Sequence, residues 1–131
     1  MKYLLLLYGD EGRWTSLSPE QSAESMKLWT AYGQELVDRG AFIAGEALQP
    51  TPTAKTVRVQ SGEVMRTDGP FAETREQLGG FYMLECKDLE EALAWAAKVP
   101  ELDGGGSVEV RAVIDYGAAG SEAPSAEASQ A

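Results

Sequence analysis

At 131 residues, with 44% hydrophobic and 24% charged side chains, the chain has the size and make-up of one globular domain. A formal net charge of −10, with the eleven Lys and Arg scattered singly, excludes a phosphate-binding stripe and an anionic-membrane footprint, so neither nucleic acid nor a membrane is expected as a partner. The absence of histidine excludes Ser-His-Asp and Cys-His devices and, with Cys86 as the one cysteine, argues against a zinc centre; no metal and no cofactor are expected.

Lys2 to Tyr8 reads as a strand, continuously apolar and stopped by Gly9-Asp10, which implies that both of its faces are covered. The run is too short for a signal peptide, and no stretch approaches the ~20 apolar residues of a membrane span, so a cytoplasmic protein is expected. Ser18-Pro19-Glu20-Gln21 predicts a helix start: Ser18 caps, Pro19 suits the first helical position, and Gln21 closes a capping box. Met26, Trp29, Tyr32, Leu36 and Val37 then form an apolar stripe, and Gly40 supplies the stop.

Ala41 to Leu48 reads as a weaker strand, ended by the prolines of Gln49-Pro50-Thr51-Pro52-Thr53. Thr56 to Gln60 and Glu63 to Thr67, joined by Ser61-Gly62, read as a hairpin with Val59 opposite Val64. Gly80 to Cys86 is a further strand, with Phe81 and Met83 on one side and Tyr82, Leu84 and Cys86 on the other. Asp88 caps a second helix whose Leu89, Ala92, Leu93, Ala96 and Ala97 fit the helical period, and Pro100 and Gly104-Gly105-Gly106 end it. Ser107 to Ile114 alternates, with Val108, Val110, Ala112 and Ile114 on one face. From Gly117 to Ala131 the chain has no aromatic or large aliphatic residue and reads as a disordered acidic tail after a domain spanning 1–116.

With the hairpin as an insertion, the order is strand–helix–strand–strand–helix–strand. Two split right-handed crossovers of this kind give an α+β, ferredoxin-like fold: a four-stranded antiparallel sheet with both helices on one face. The two segments apolar on both faces then lie in the centre. The helices cover one face only, so either a second copy of the sheet or the inserted hairpin must cover the other; a homodimer is the reading preferred.

The run Thr67-Asp68-Gly69-Pro70-Phe71-Ala72-Glu73-Thr74-Arg75-Glu76-Gln77-Leu78-Gly79-Gly80-Phe81-Tyr82 resembles the signature of the DGPF-domain branch of the YCII-related family. Met1 to Tyr8, Gly45 to Pro50 and Gly106 to Arg111 resemble it too, so the likeness covers roughly residues 1–115. It implies a dimeric α/β-barrel of ferredoxin-like subunits. Some members of the family carry a His–Asp pair proposed as catalytic, which a chain without histidine does not possess. Similar proteins are often encoded beside extracytoplasmic-function sigma factors, which implies a regulatory setting and a sigma-factor link.

Carboxylates, tyrosines and arginines remain to carry chemistry. Asp68 suits a turn, Pro70 aims Phe71 toward apolar packing, and Gly79-Gly80 either enters the strand or lets a ligand or partner backbone approach. Asp68, Glu73 and Arg75 share one loop whose ends are constrained, and Tyr82, Glu46 and Arg58 are expected to complete a ligand-binding concavity with them. A small-molecule-binding or regulatory module is therefore expected. The alternatives are a lyase- or isomerase-like enzyme using a carboxylate base, and a protein-interaction accessory. A carboxylate perturbed inside a closed pocket would separate the enzyme from the binding module.

Overall fold

The computed structural model describes residues 1–119. Strand β1 (Lys2–Gly9) leads into a short helix α1 (Glu11–Thr15), whose first turn is capped by the Asp10 carboxylate accepting the Gly12 N–H. This helix follows a Gly-Asp pair that reads from sequence only as a stop. Helix α2 (Pro19–Asp38) starts on the expected capping box, with Ser18 Oγ accepting the Gln21 N–H at 3.1 Å and Gln21 Oε1 accepting the Ser18 N–H at 2.9 Å. Gly40, at φ 71°, turns the chain out of it. Strand β2 (Phe42–Ala47), strands β3 (Lys55–Gln60) and β4 (Glu63–Asp68), strand β5 (Gln77–Glu85), helix α3 (Leu89–Ala97), strand β6 (Ser107–Ala112) and a single turn α4 (Tyr116–Ala119) complete the order. Tyr116–Ala119 is thus helical where the tail was expected to begin; the rest of that tail, 120–131, lies outside the described residues.

The main sheet is antiparallel with strand order β2-β5-β1-β6, which makes β1 and β5 the central strands. Helices α2 and α3 contribute to one core over one face. Tyr3 and Leu5 of β1 and Leu84 of β5 meet Tyr32 and Leu36 of α2 and Ala92, Trp95 and Ala96 of α3 there. Tyr32 crosses between the helices, its hydroxyl donating to the Trp95 carbonyl at 2.8 Å. Burial, with lesser contributions from Tyr82, Cys86 and Glu35, raises its pKa well above the usual phenol range.

The helix stripes are narrower than the sequence implies. Met26 (66% exposed) and Val37 face outward in α2, and in α3 Leu89 and Leu93 are exposed while Trp95 is the buried anchor. Alanines at 92 and 96 let α3 approach the sheet closely, so the indole beside them fills the space. Ile114 lies beyond the end of β6 and is exposed.

The opposite face carries Leu4 and Leu6 of β1, paired with Met83 and Phe81 of β5, and is bordered by Ala44 and Glu46 of β2 and by Glu109 and Arg111 of β6. The hairpin does not fold over it. β3 and β4 form a separate two-stranded sheet in which every residue of β4 is exposed, as are Val57 and Val59. Its Ser61-Gly62 turn has φ of 51° and 79°, the left-handed pair that a two-residue hairpin connection requires.

Among the described residues no helix is long and apolar enough to cross a membrane.

Candidate functional site

The loop 69–76 leaves β4 on Gly69, whose φ of 97° a side chain would strain. Its N–H donates to the Ala54 carbonyl at 2.7 Å, and its own carbonyl accepts the Thr56 hydroxyl at 2.9 Å, so the hairpin ladder extends into the Asp-Gly turn. At the other end, Gln77 Nε2 donates to the Thr74 carbonyl, and Gln77 Oε1 accepts the Glu11 N–H at 3.0 Å. The Glu11 carboxylate in turn accepts the Thr51 N–H at 2.7 Å and the Thr51 hydroxyl at 2.8 Å. Two bonds to one ionised group are stronger than neutral ones, so α1, the Pro-rich loop after β2 and the start of β5 are held as one unit.

The Pro-rich loop, the loop 69–76 and Gln77 at the start of β5 line a cleft of about 320 Å³. Thr51 and Pro52 form one wall, Gly69 and Pro70 another, and Glu73, Thr74 and Gln77 add polar groups. Two prolines and a double-bonded threonine leave little backbone freedom in these walls. Among the described residues, Glu73 is the one charged side chain that lines the cleft.

Of the six residues expected to converge, only Glu73 reaches this cleft. Asp68 pairs with Lys55 at 2.6 Å on the exposed base of the hairpin. Arg58 lies over the Phe71 ring, 5.0 Å from its centroid. That ring is 76% exposed, so the arginine stands in place of the apolar packing expected for it. Arg75 is exposed, without an ion pair or hydrogen bond among the described residues. Glu46 is also exposed, level with Phe81 on the open face of the sheet, and so needs no buried partner. Tyr82 shares the helix-covered face with Leu84. It is stacked on Trp29 at 6.4 Å and edge-on to Tyr32 at 5.4 Å, and burial raises its pKa. The single shared concavity is therefore not formed in one chain: strand alternation sends Tyr82 and Glu46 to opposite faces, and Lys55 takes Asp68.

Glu11, Thr51 and Gln77 are the residues that sequence reasoning passed over, and Trp14 is another. A methyl group at Gly9 would lie 2.5 Å from the Trp14 ring, and one at Gly79 would lie 2.4 Å from it. The close approach that Gly79 permits is thus that of an indole from α1. Gly80 leaves room for the neighbouring strand, since a methyl group there would meet the Glu46 carbonyl at 2.7 Å. The local signal for α1 was Asp10, a helix-capping residue directly after the strand.

Among the described residues no group of three or more His, Cys, Asp or Glu side chains is placed to hold a metal ion.

The sequence profile of the YCII-related domain matches residues 1–116. The chain is also similar to "Uncharacterized protein R00369" of Rhizobium meliloti (strain 1021), with 38% identity over 117 residues that cover 88% of this chain and 94% of the relative.

Proposed function

Because the chain belongs to the YCII-related family, whose domain spans residues 1–116, we propose that it is a small-molecule-binding or regulatory module that works as a homodimer and takes its ligand in the cleft beside Glu73. The observation that carries the binding role is the bracing of the cleft. Glu11, Thr51 and Gln77 hold its walls before any ligand arrives, which spares the ordering cost that flexible loops would incur on binding. Asp68 and Arg75 flank the cleft along the chain. Glu46 lies on the open sheet face, where a second copy would complete its surroundings. Arg58 and Tyr82 enter this reading as packing residues.

The homodimer rests on that open face. Leu4, Leu6, Phe81 and Met83 form a contiguous apolar row on two central strands, with no helix and no hairpin over it among the described residues. A second sheet laid against it would bury the row and give the dimeric α/β barrel of ferredoxin-like subunits.

A thermal-shift screen of soluble metabolites tests the binding role. At least one compound should raise the melting midpoint of the wild type and leave Glu73→Lys unmoved, since the longer cationic side chain fills the cleft and reverses its charge. Equal shifts in the two proteins for every compound that binds would remove the cleft from consideration.

A further inference from the structure

A second pocket of about 80 Å³ lies between α1, the end of β1 and the connector from α3 to β6. Leu7, Leu17 and Val108 and the indoles of Trp14 and Trp29 give it an apolar side, while Asp10, Glu101 and Ser107 supply polar groups. One cationic side chain, Arg13, lines it. The Arg13 guanidinium is seated on the glycine run: a methyl group at Gly104 would stand 2.8 Å from both Nη1 and Nη2. Position 104 is bare where this arginine needs the space. Despite that seat, the guanidinium has no hydrogen bond or ion pair among the described residues.

The carboxylates beside it are committed elsewhere. Asp10 Oδ1 accepts the Gly12 N–H at 2.8 Å, and Glu101 Oε1 accepts the Ser25 hydroxyl. A planar guanidinium with its donors unspent matches a carboxylate bidentately. The apolar side formed by the two indoles, Leu7, Leu17 and Val108 suits a short apolar body, and the space admits several waters or a small organic acid. Asp10 and Glu101 in the lining repel a dianion such as phosphate more strongly than a monoanion, which a single guanidinium can match.

We propose that this pocket binds a small monocarboxylate with a short apolar body, its carboxylate gripped by Arg13 and its body lying against Trp14 and Trp29. The site is separate from the cleft beside Glu73 and does not depend on it.

Tryptophan fluorescence tests the proposal, because two indoles line the pocket. The full chain is titrated with propionate, isobutyrate and benzoate, with the three corresponding amides, and with inorganic phosphate. At least one acid should give a saturable change that its amide and phosphate do not. Arg13→Gln should weaken that acid about tenfold or more, as should Gly104→Ala, which takes the arginine's seat. Both variants should keep the wild-type circular dichroism, since Arg13 is exposed. Glu73→Lys should bind the acid as the wild type does, so failure here and failure of the cleft reading are distinguishable. The proposal is overturned if no acid saturates in the millimolar range, if the amides or phosphate bind as well, or if Arg13→Gln binds unchanged.

Discussion

Single positions decide how closely α1 approaches the sheet. Trp14 lies on Gly9 and Gly79, both of which would place a Cβ inside contact distance of the ring. Gly79→Ala should therefore destabilise the chain by about 1–3 kcal/mol, the usual cost of forcing extra atoms into a packed contact. Gly33, inside α2, provides the opposite case, because nothing lies within 4 Å of the position its Cβ would occupy. Gly33→Ala should stabilise by about 0.5–1 kcal/mol through helix propensity alone. Urea unfolding of the two variants checks the pair. Equal changes in stability would mean that the indole has no fixed seat. The same residue-level view explains why Tyr82 serves the core: it alternates in phase with Leu84, whose side chain is fully buried.

At the scale of elements, α1 acts as a brace, too short at five residues to be stable by itself. Its Glu11 carboxylate fixes the Pro-rich loop through Thr51, and its backbone fixes Gln77 at the start of β5. Glu11→Ala should cost about 1–2 kcal/mol, the range for lost bonds to a charged group that is only partly buried. Amide exchange at Thr51 should quicken in that variant while exchange in the core of β1 is unchanged. Uniform acceleration across the sheet would contradict a local brace.

The elements legible in the sequence were those with local signals. The Ser18–Gln21 capping box, the Asp88 cap and the apolar run of β1 each act over a few neighbouring residues. The cleft was only partly legible. Glu73 was identified from its place in a constrained loop, whereas the Glu11, Thr51 and Gln77 contacts join positions that no local pattern connects. Trp95 was overlooked for a different reason: five surrounding apolar positions satisfied the helical period without it, and only packing against the sheet decides which of them turn inward.

At the largest scale, the central fact is a sheet that the described residues cover on one side. Both central strands present apolar side chains to each face, and α2 and α3 account for one of these. The proposed homodimer accounts for the other, with a direct test at Leu6. Its side chain points away from the helix-covered core, so Leu6→Lys should leave each chain folded while placing a charge in the middle of the apolar row. Light scattering at micromolar concentration should give a dimer mass for the wild type and a monomer mass for Leu6→Lys. A monomeric wild type would remove both the barrel and the partner-completed surroundings of Glu46.

The Glu11 junction also bears on the order in which the protein becomes competent. Its ties span 40 residues to Thr51 and 66 residues to Gln77. Contacts across such distances carry the entropy of closing long loops, which is recovered only when the strands between them are already docked. The cleft is therefore a product of completed folding: a nascent or partly opened chain has its residues but not its walls. Ligand can then act as a late selector, adding stability only to molecules in which the first eleven residues have found the start of the fifth strand.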